Sequence, residues 1–154
     1  MNEISGLMID FNLLQQNRLP YLEISKKNNI RIFAGTSICQ GFLLSSPFKL
    51  FCKTKSPFYL ARALFKKETR NYLKDSRILR NYLKKNHKDF SQEIPLSYVA
   101  TEKNIDFIPV GMLSKSSILR NIEIVKNPVK KTITDQVASW AYENCQIIDN
   151  FENN

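Results

Sequence analysis

Residues 7–44, LMIDFNLLQQNRLPYLEISKKNNIRIFAGTSICQGFLL, carry the reading that decides the fold. Leu7 to Phe11 is a short apolar run of the length expected for a buried strand. Leu19 to Asn28 then alternates as a polar-backed helix carrying Leu22 and Ile24, and Asn28-Asn29 ends it. A second strand, Ile30 to Ala34, follows, then a turn over Gly35 to Gly41, the apolar Phe42 to Leu44, and a breaker at Ser45-Ser46-Pro47. The order is strand, helix, strand, which favours parallel pairing.

The same alternation resumes downstream. Ser91 to Thr101 reads as a helix with Ile94, Tyr98 and Val99 apolar, Ile105 to Val110 as a strand, and Lys115 to Val125 as a further helix. A last helix, Thr134 to Asn144, turns Val137, Trp140 and Ala141 inward, with Thr134-Asp135 as its expected N-terminal cap. Two glycine-bearing turns, Gly35 to Gly41 and Gly111-Met112-Leu113-Ser114, each follow a strand and precede a helical pattern. Backbone amides at such positions face an anion.

The chain has 154 residues, of which 43% are hydrophobic, enough for one ordinary core. It reads as a single domain over residues 1–154, with a disordered tail at 151–154. Its net charge of +9 is concentrated: 13 of the 23 basic residues lie between Lys49 and Lys88, against Glu68 and Asp75. Residues 49–88 therefore read as a basic helical insertion. Within it Phe65, Tyr72 and Leu79 recur every seven residues with Leu83 on the same side, the pattern of an amphipathic cover. Phe51, Phe58, Tyr59 and Tyr82 interleave with the positive charge, a mixture that also suits base stacking, yet helical spacing favours the cover over a nucleic-acid clamp. Cys39, Cys52 and Cys145 are odd in number and widely spaced, which excludes a disulfide framework and a zinc motif and points to a reducing, cytoplasmic setting. Neither a signal peptide nor a membrane span is legible.

With these elements in order, the chain resembles the C-terminal half of the aldo-keto reductase family. Asp10-Phe11-Asn12-Leu13-Leu14 resembles the end of that family's sixth strand, and Ile32 to Leu43, including Gln40-Gly41, its seventh strand and loop. Glu93 to Val110 resembles the following helix and the eighth strand, and Gly111 to Asn121 the segment that contacts adenosine. The resemblance implies an α/β fold, a partial (β/α)8 TIM barrel with a basic helical insertion, and NADP(H) as cofactor. It places Thr36, Ile38 and Gln40 along the pyrophosphate and ribose, and Gly111, Ser114 and Asn121 at the adenosine end. It also implies a truncated NAD(P)-dependent oxidoreductase that is inactive alone, and a partner: an N-terminal half-barrel polypeptide or a second copy of the chain.

The chain departs from that family at specific positions. Gly35 stands where the nicotinamide-stacking tyrosine is expected, Met8 where an amide-binding glutamine is, and Ser117 where an arginine meets the adenosine phosphate, with Lys115 and Arg120 as the nearby cations. The family's Asp, Tyr, Lys and His acid set comes from the first four strands, so no residue here inherits it. His87 sits in a charged run and reads as solvated, and Cys39 reads as small core filler. An alternative use is a half-barrel turned to binding or association. A second alternative is a metal-dependent nuclease of PIN type, in which Asp10, Glu23, Asp135 and Asp149 hold a divalent cation.

Overall fold

The computed structural model describes residues 4–46, 48, 49, 52, 61, 65, 67–111 and 114–145. Among them are two strands, β1 (Gly6–Asp10) and β2 (Arg31–Gly35), and five α-helices: α1 (Leu19–Lys27), α2 (Lys67–Asn86), α3 (Ile94–Ala100), α4 (Lys115–Lys126) and α5 (Lys131–Asn144). β1 and β2 pair in parallel, from Gly6 opposite Arg31 to Asp10 opposite Gly35. A parallel pair needs a crossover, and α1 provides it. Pro20 sits in the first turn of α1, where its missing N–H costs no hydrogen bond. Asn29 at φ 57° ends the helix in the left-handed conformation, and the Ile30 amide returns to the Ser25 carbonyl at 3.0 Å.

The expected strand at Ile105–Val110 is reduced to a single parallel bridge between Phe33 and Phe107. The Ala34 amide donates to Phe107 at 2.8 Å, the Phe107 amide donates to Ile32 at 3.0 Å, and the two phenyl rings stack at 4.7 Å. Pairing stops there for two reasons. Pro109 has no N–H to donate, and the Asp106 carboxylate itself accepts the Ile32 amide at 2.9 Å while Lys26 grips it at 2.6 Å. The Phe107 segment lies on the side of β2 away from β1, so the spatial order of the three parallel segments is their order in the chain.

One apolar cluster unites the elements. Phe11, Leu13 and Leu14 after β1, Leu22 of α1, Ile32 and Ala34 of β2, Leu79 and Leu83 of α2, Ile94 and Val99 of α3, and Val137 and Ala141 of α5 are all buried in it. β1 is less buried than its composition predicts: only Ile9 is covered, while Leu7 and Met8 are 41% and 64% exposed. Among the described residues no strand lies on its free edge. In α1, Leu22 is buried as expected, but Ile24 is exposed and Ser25 takes the inner position.

The amphipathic reading of the basic segment holds for α2, where Tyr72, Leu79 and Leu83 face the core and Lys74, Arg77, Lys84 and Lys85 face out. Phe65 departs from it at 83% exposed. Residues 50, 51, 53–60, 62–64 and 66, and the tail expected to be disordered, lie outside the described residues. α5 begins at Lys131, three residues before the expected cap, because Thr134 is a buried helix residue whose hydroxyl donates back to the Lys131 carbonyl at 2.9 Å. All three cysteines are free. Among the described residues no helix is long and apolar enough to cross a membrane.

Candidate functional site

The carboxyl ends of β1 and β2 meet at Asn12, a fully buried polar side chain in an apolar run. Its amide nitrogen lies 2.6 Å from Gln15 Oε1, 3.1 Å from the Thr36 carbonyl, 3.2 Å from Thr36 Oγ1 and 3.1 Å from the Tyr72 hydroxyl. Two N–H bonds thus serve four acceptors. Asn12 Oδ1 accepts the Leu14 amide at 2.9 Å, and the Thr36 hydroxyl donates to Gln15 Oε1 at 3.2 Å. Burying an amide in this way is tolerable only because every polar atom is matched.

Tyr72 enters from α2 and also hydrogen-bonds the Cys39 thiol. Burial pushes the Tyr72 phenol well up, and pushes Cys39 from 9.0 to about 12. Cys39 is therefore a buried core thiol, as its sequence context suggests.

The loop after β2 carries its functional candidates in unusual backbone. Thr36, Cys39 and Gln40 have φ of 49°, 51° and 55°, and Gly41 has 86°. Left-handed backbone at a β-branched residue is a true outlier, and each such non-glycine residue costs about 1–2 kcal/mol. The loop does not open a helix as expected. It closes into a 3-10 turn, Cys39–Gly41, whose amides are used internally: Cys39 to Thr36, Gly41 to Ile38 and Phe42 to Cys39. Of the three residues the resemblance set along a pyrophosphate, Thr36 is drawn into the Asn12 network, and Ile38 and Gln40 are half-buried beside it.

The second turn does lead into a helix. Ser114 caps α4, its hydroxyl accepting the Ser117 amide at 3.2 Å and lying 2.9 Å from the hydroxyls of Ser116 and Ser117. With Lys115 these serines form a polar, positively biased helix start. Gly111 is exposed with nothing within 4 Å of the position a Cβ would take, and Asn121 lies two turns along α4, half-buried. No hydrogen bond among the described residues links the Gly35–Gly41 loop to α4. The two turns follow neighbouring parallel segments.

The nuclease alternative finds no centre here. Asp10, Glu23 and Asp135 are exposed on β1, α1 and α5, and no group of three or more acidic, histidine or cysteine side chains assembles among the described residues; Asp149 lies outside them. His87 is half-buried with its ring 5.7 Å from that of Tyr82.

Sequence reasoning missed Gln15, and it placed Tyr72 in the core without foreseeing its hydrogen bond to Asn12. The usable signal was Asn12-x-x-Gln15, two amides one helical turn apart within a run of leucines. It also missed a cavity of about 430 Å³ between α2 and the loop at Ser46. A second cavity, of about 240 Å³, lies at the other end of the sheet around Lys26, Arg31 and Asp106. No protein-family model matches the chain, and no curated protein matches it significantly.

Proposed function

We propose that this chain is the cofactor-phosphate side of an aldo-keto-reductase-like (β/α)8 barrel, an NAD(P)-dependent oxidoreductase fragment that performs no turnover alone. The observation that carries the reading is the run of three parallel segments in chain order, with the loops bearing Thr36 and Gly111 leaving their carboxyl ends. Barrels of this class gather phosphate at the loops following their last two strands.

The fit to the cofactor differs at its two ends. The α4 start, with Ser114, Ser116, Ser117 and Lys115, suits the adenosine phosphate, holding it by hydroxyl donors and one cation. The ring end does not fit. A Cβ built on Gly35 would fall 2.5 Å from Asp10 Oδ1, so a carboxylate borders the place where a stacking ring is expected. No hydride step is assigned to these residues.

Calorimetric titration with NADPH and with 2′-phospho-ADP-ribose tests this. Both are expected to bind with similar affinity, since the ring end adds nothing, and Lys115→Glu is expected to weaken both. Absence of binding by either ligand would overturn the reading.

A second reading, a half-barrel put to use in association, is favoured by exposed apolar side chains. Ile118, Leu119, Ile122 and Val125 on α4, and Leu7 and Met8 on β1, are each at least 40% exposed. Such surface is more than scattered apolar residues require. Light scattering on the purified chain is expected to report self-association or, in the presence of an N-terminal half-barrel polypeptide, a heterocomplex. A monodisperse monomer with a steep melt would remove this second reading.

A further inference from the structure

α2 turns Tyr72, Asp75, Ser76, Leu79 and Leu83 inward, and a second set of side chains follows the same helix about a third of a turn away. Arg70, Leu73, Lys74, Arg77 and Arg80 line the 430 Å³ cavity, with Ser46 across from them. Among the described residues, four of the six that line it are cations and none is an acid. Among the described residues, Lys74, Arg77 and Arg80 have no carboxylate partner. Arg80 is fixed in place: its Nη1 donates to the Phe42 carbonyl at 2.7 Å, which ties α2 to the loop that forms the far wall. Burial, and then the like charge of Arg77, hold the Arg80 guanidinium below its ordinary value. Ser46 Oγ, on the cavity's far wall, accepts the Lys49 amide at 3.3 Å.

Convergent like charges raise one another's energy unless an anion joins them. We infer that this cavity is a binding site for a compact organic phosphate carrying two or more phosphoryl groups. Its volume lies in the range of small-ligand pockets. Lys74 to Arg80 span about 9 Å of helix, enough to engage adjacent phosphoryl groups but not an extended strand. Arginine forks match phosphate oxygens with paired donors, Lys74 adds a point charge, and Leu73 supplies the apolar wall for the organic portion. A nucleic-acid strand is the rival occupant, since strand binding without sequence preference uses exposed aromatic platforms. Although Tyr72 is buried and Tyr82 is stacked on Trp140 with ring centroids 3.7 Å apart, Phe48 and Phe65 are exposed.

The site lies on a different face of α2 from Tyr72 and stands independently of the reductase reading. Its test is calorimetric titration of the full chain with inorganic pyrophosphate. Wild type is expected to bind, and the double variant Lys74→Gln/Arg77→Gln to bind about tenfold more weakly or worse, since charge-assisted hydrogen bonds are lost. Both residues are exposed, and an unchanged circular-dichroism melt will show that the variant folds. A control, Lys84→Gln/Lys85→Gln, removes the same charge from α2 outside the cavity and is expected to leave affinity unchanged. Failure of wild type to bind, or equal weakening by both double variants, overturns the assignment. So does a single-stranded oligonucleotide that binds through Lys74 and Arg77 and resists displacement by pyrophosphate, since the groove would then serve a nucleic-acid backbone.

Discussion

The side-chain amide of Asn12 donates to the hydroxyl of Tyr72 at 3.1 Å, joining the end of the first strand to a helix 60 residues further on. That bond holds α2 over the strand ends, and the same phenol reaches Cys39 in the strained loop after β2. Stability and loop geometry therefore share one polar centre.

Tyr72→Phe removes one acceptor and one donor but leaves Asn12 with Gln15 and Thr36, so a loss of about 1 kcal/mol is expected. Asn12→Leu keeps the volume yet strands Gln15, Thr36, Tyr72 and the Leu14 amide, and is expected to cost about 3 kcal/mol or more. Urea unfolding of the two variants checks the order. Equal losses would show that the network contributes nothing beyond packing.

Burial holds Cys39 at about 12, Cys145 at about 11, and the phenols of Tyr72 and Tyr98 above their usual values. The folded chain thus retains protons that the unfolded chain releases from 9.0 upward. Stability from these groups is complete below that pH and declines as pH rises toward the folded values. The urea midpoint is expected to be level near about pH 8 and to fall steadily by about pH 11. In the folded state only exposed Cys52 should react quickly with a thiol reagent, with Cys39 and Cys145 joining it on denaturation.

Asp106 behaves in the opposite sense. Its hydrogen bond to Lys26, and then that from the Ile32 amide, lower its carboxyl below 3.8. The stabilisation is present above 3.8 and disappears as pH falls through the lower folded value. Asp106→Asn is expected to destabilise the chain near about pH 6 and to match wild type once the carboxylate is protonated in strong acid. A constant offset at all pH values would place the effect in packing and not in charge.

Trp140, the sole tryptophan, stacks on Tyr82 with an interplanar angle of 8°. The pair docks α5 on α2. Tyr82→Ala is expected to shift Trp140 emission to the red and to lose about 1 kcal/mol beyond the buried area, the usual worth of an aromatic pair. Unchanged emission would mean that α5 is positioned by Val137 and Ala141 alone.

The alternation of short apolar runs with helical periods was readable from sequence because each element repeats its own local rule. β1, α1 and β2 lie where those rules put them, within a residue or two. The failures arise where a side chain replaces a rule. Asp106 accepts the Ile32 amide and shortens the third strand to a bridge, and Thr134 looks like a cap but is buried within the helix. Phe65 keeps the seven-residue spacing of Tyr72 and Leu79 without their burial, because period alone does not show where a core ends. The Asn12 network joins residues 12, 15, 36 and 72, and nothing local in a sequence announces an encounter over such distances.

The closeness of Asp10 to Gly35 sets an order of events in the descent of this chain. Any side chain at residue 35 meets the Asp10 carboxylate, whereas residue 10 is exposed and free to shrink. A change at 10 is thus the permissive step and a change at 35 the dependent one. Homologous sequences should show the two varying together, with large residues at 35 confined to lineages in which residue 10 has already become small.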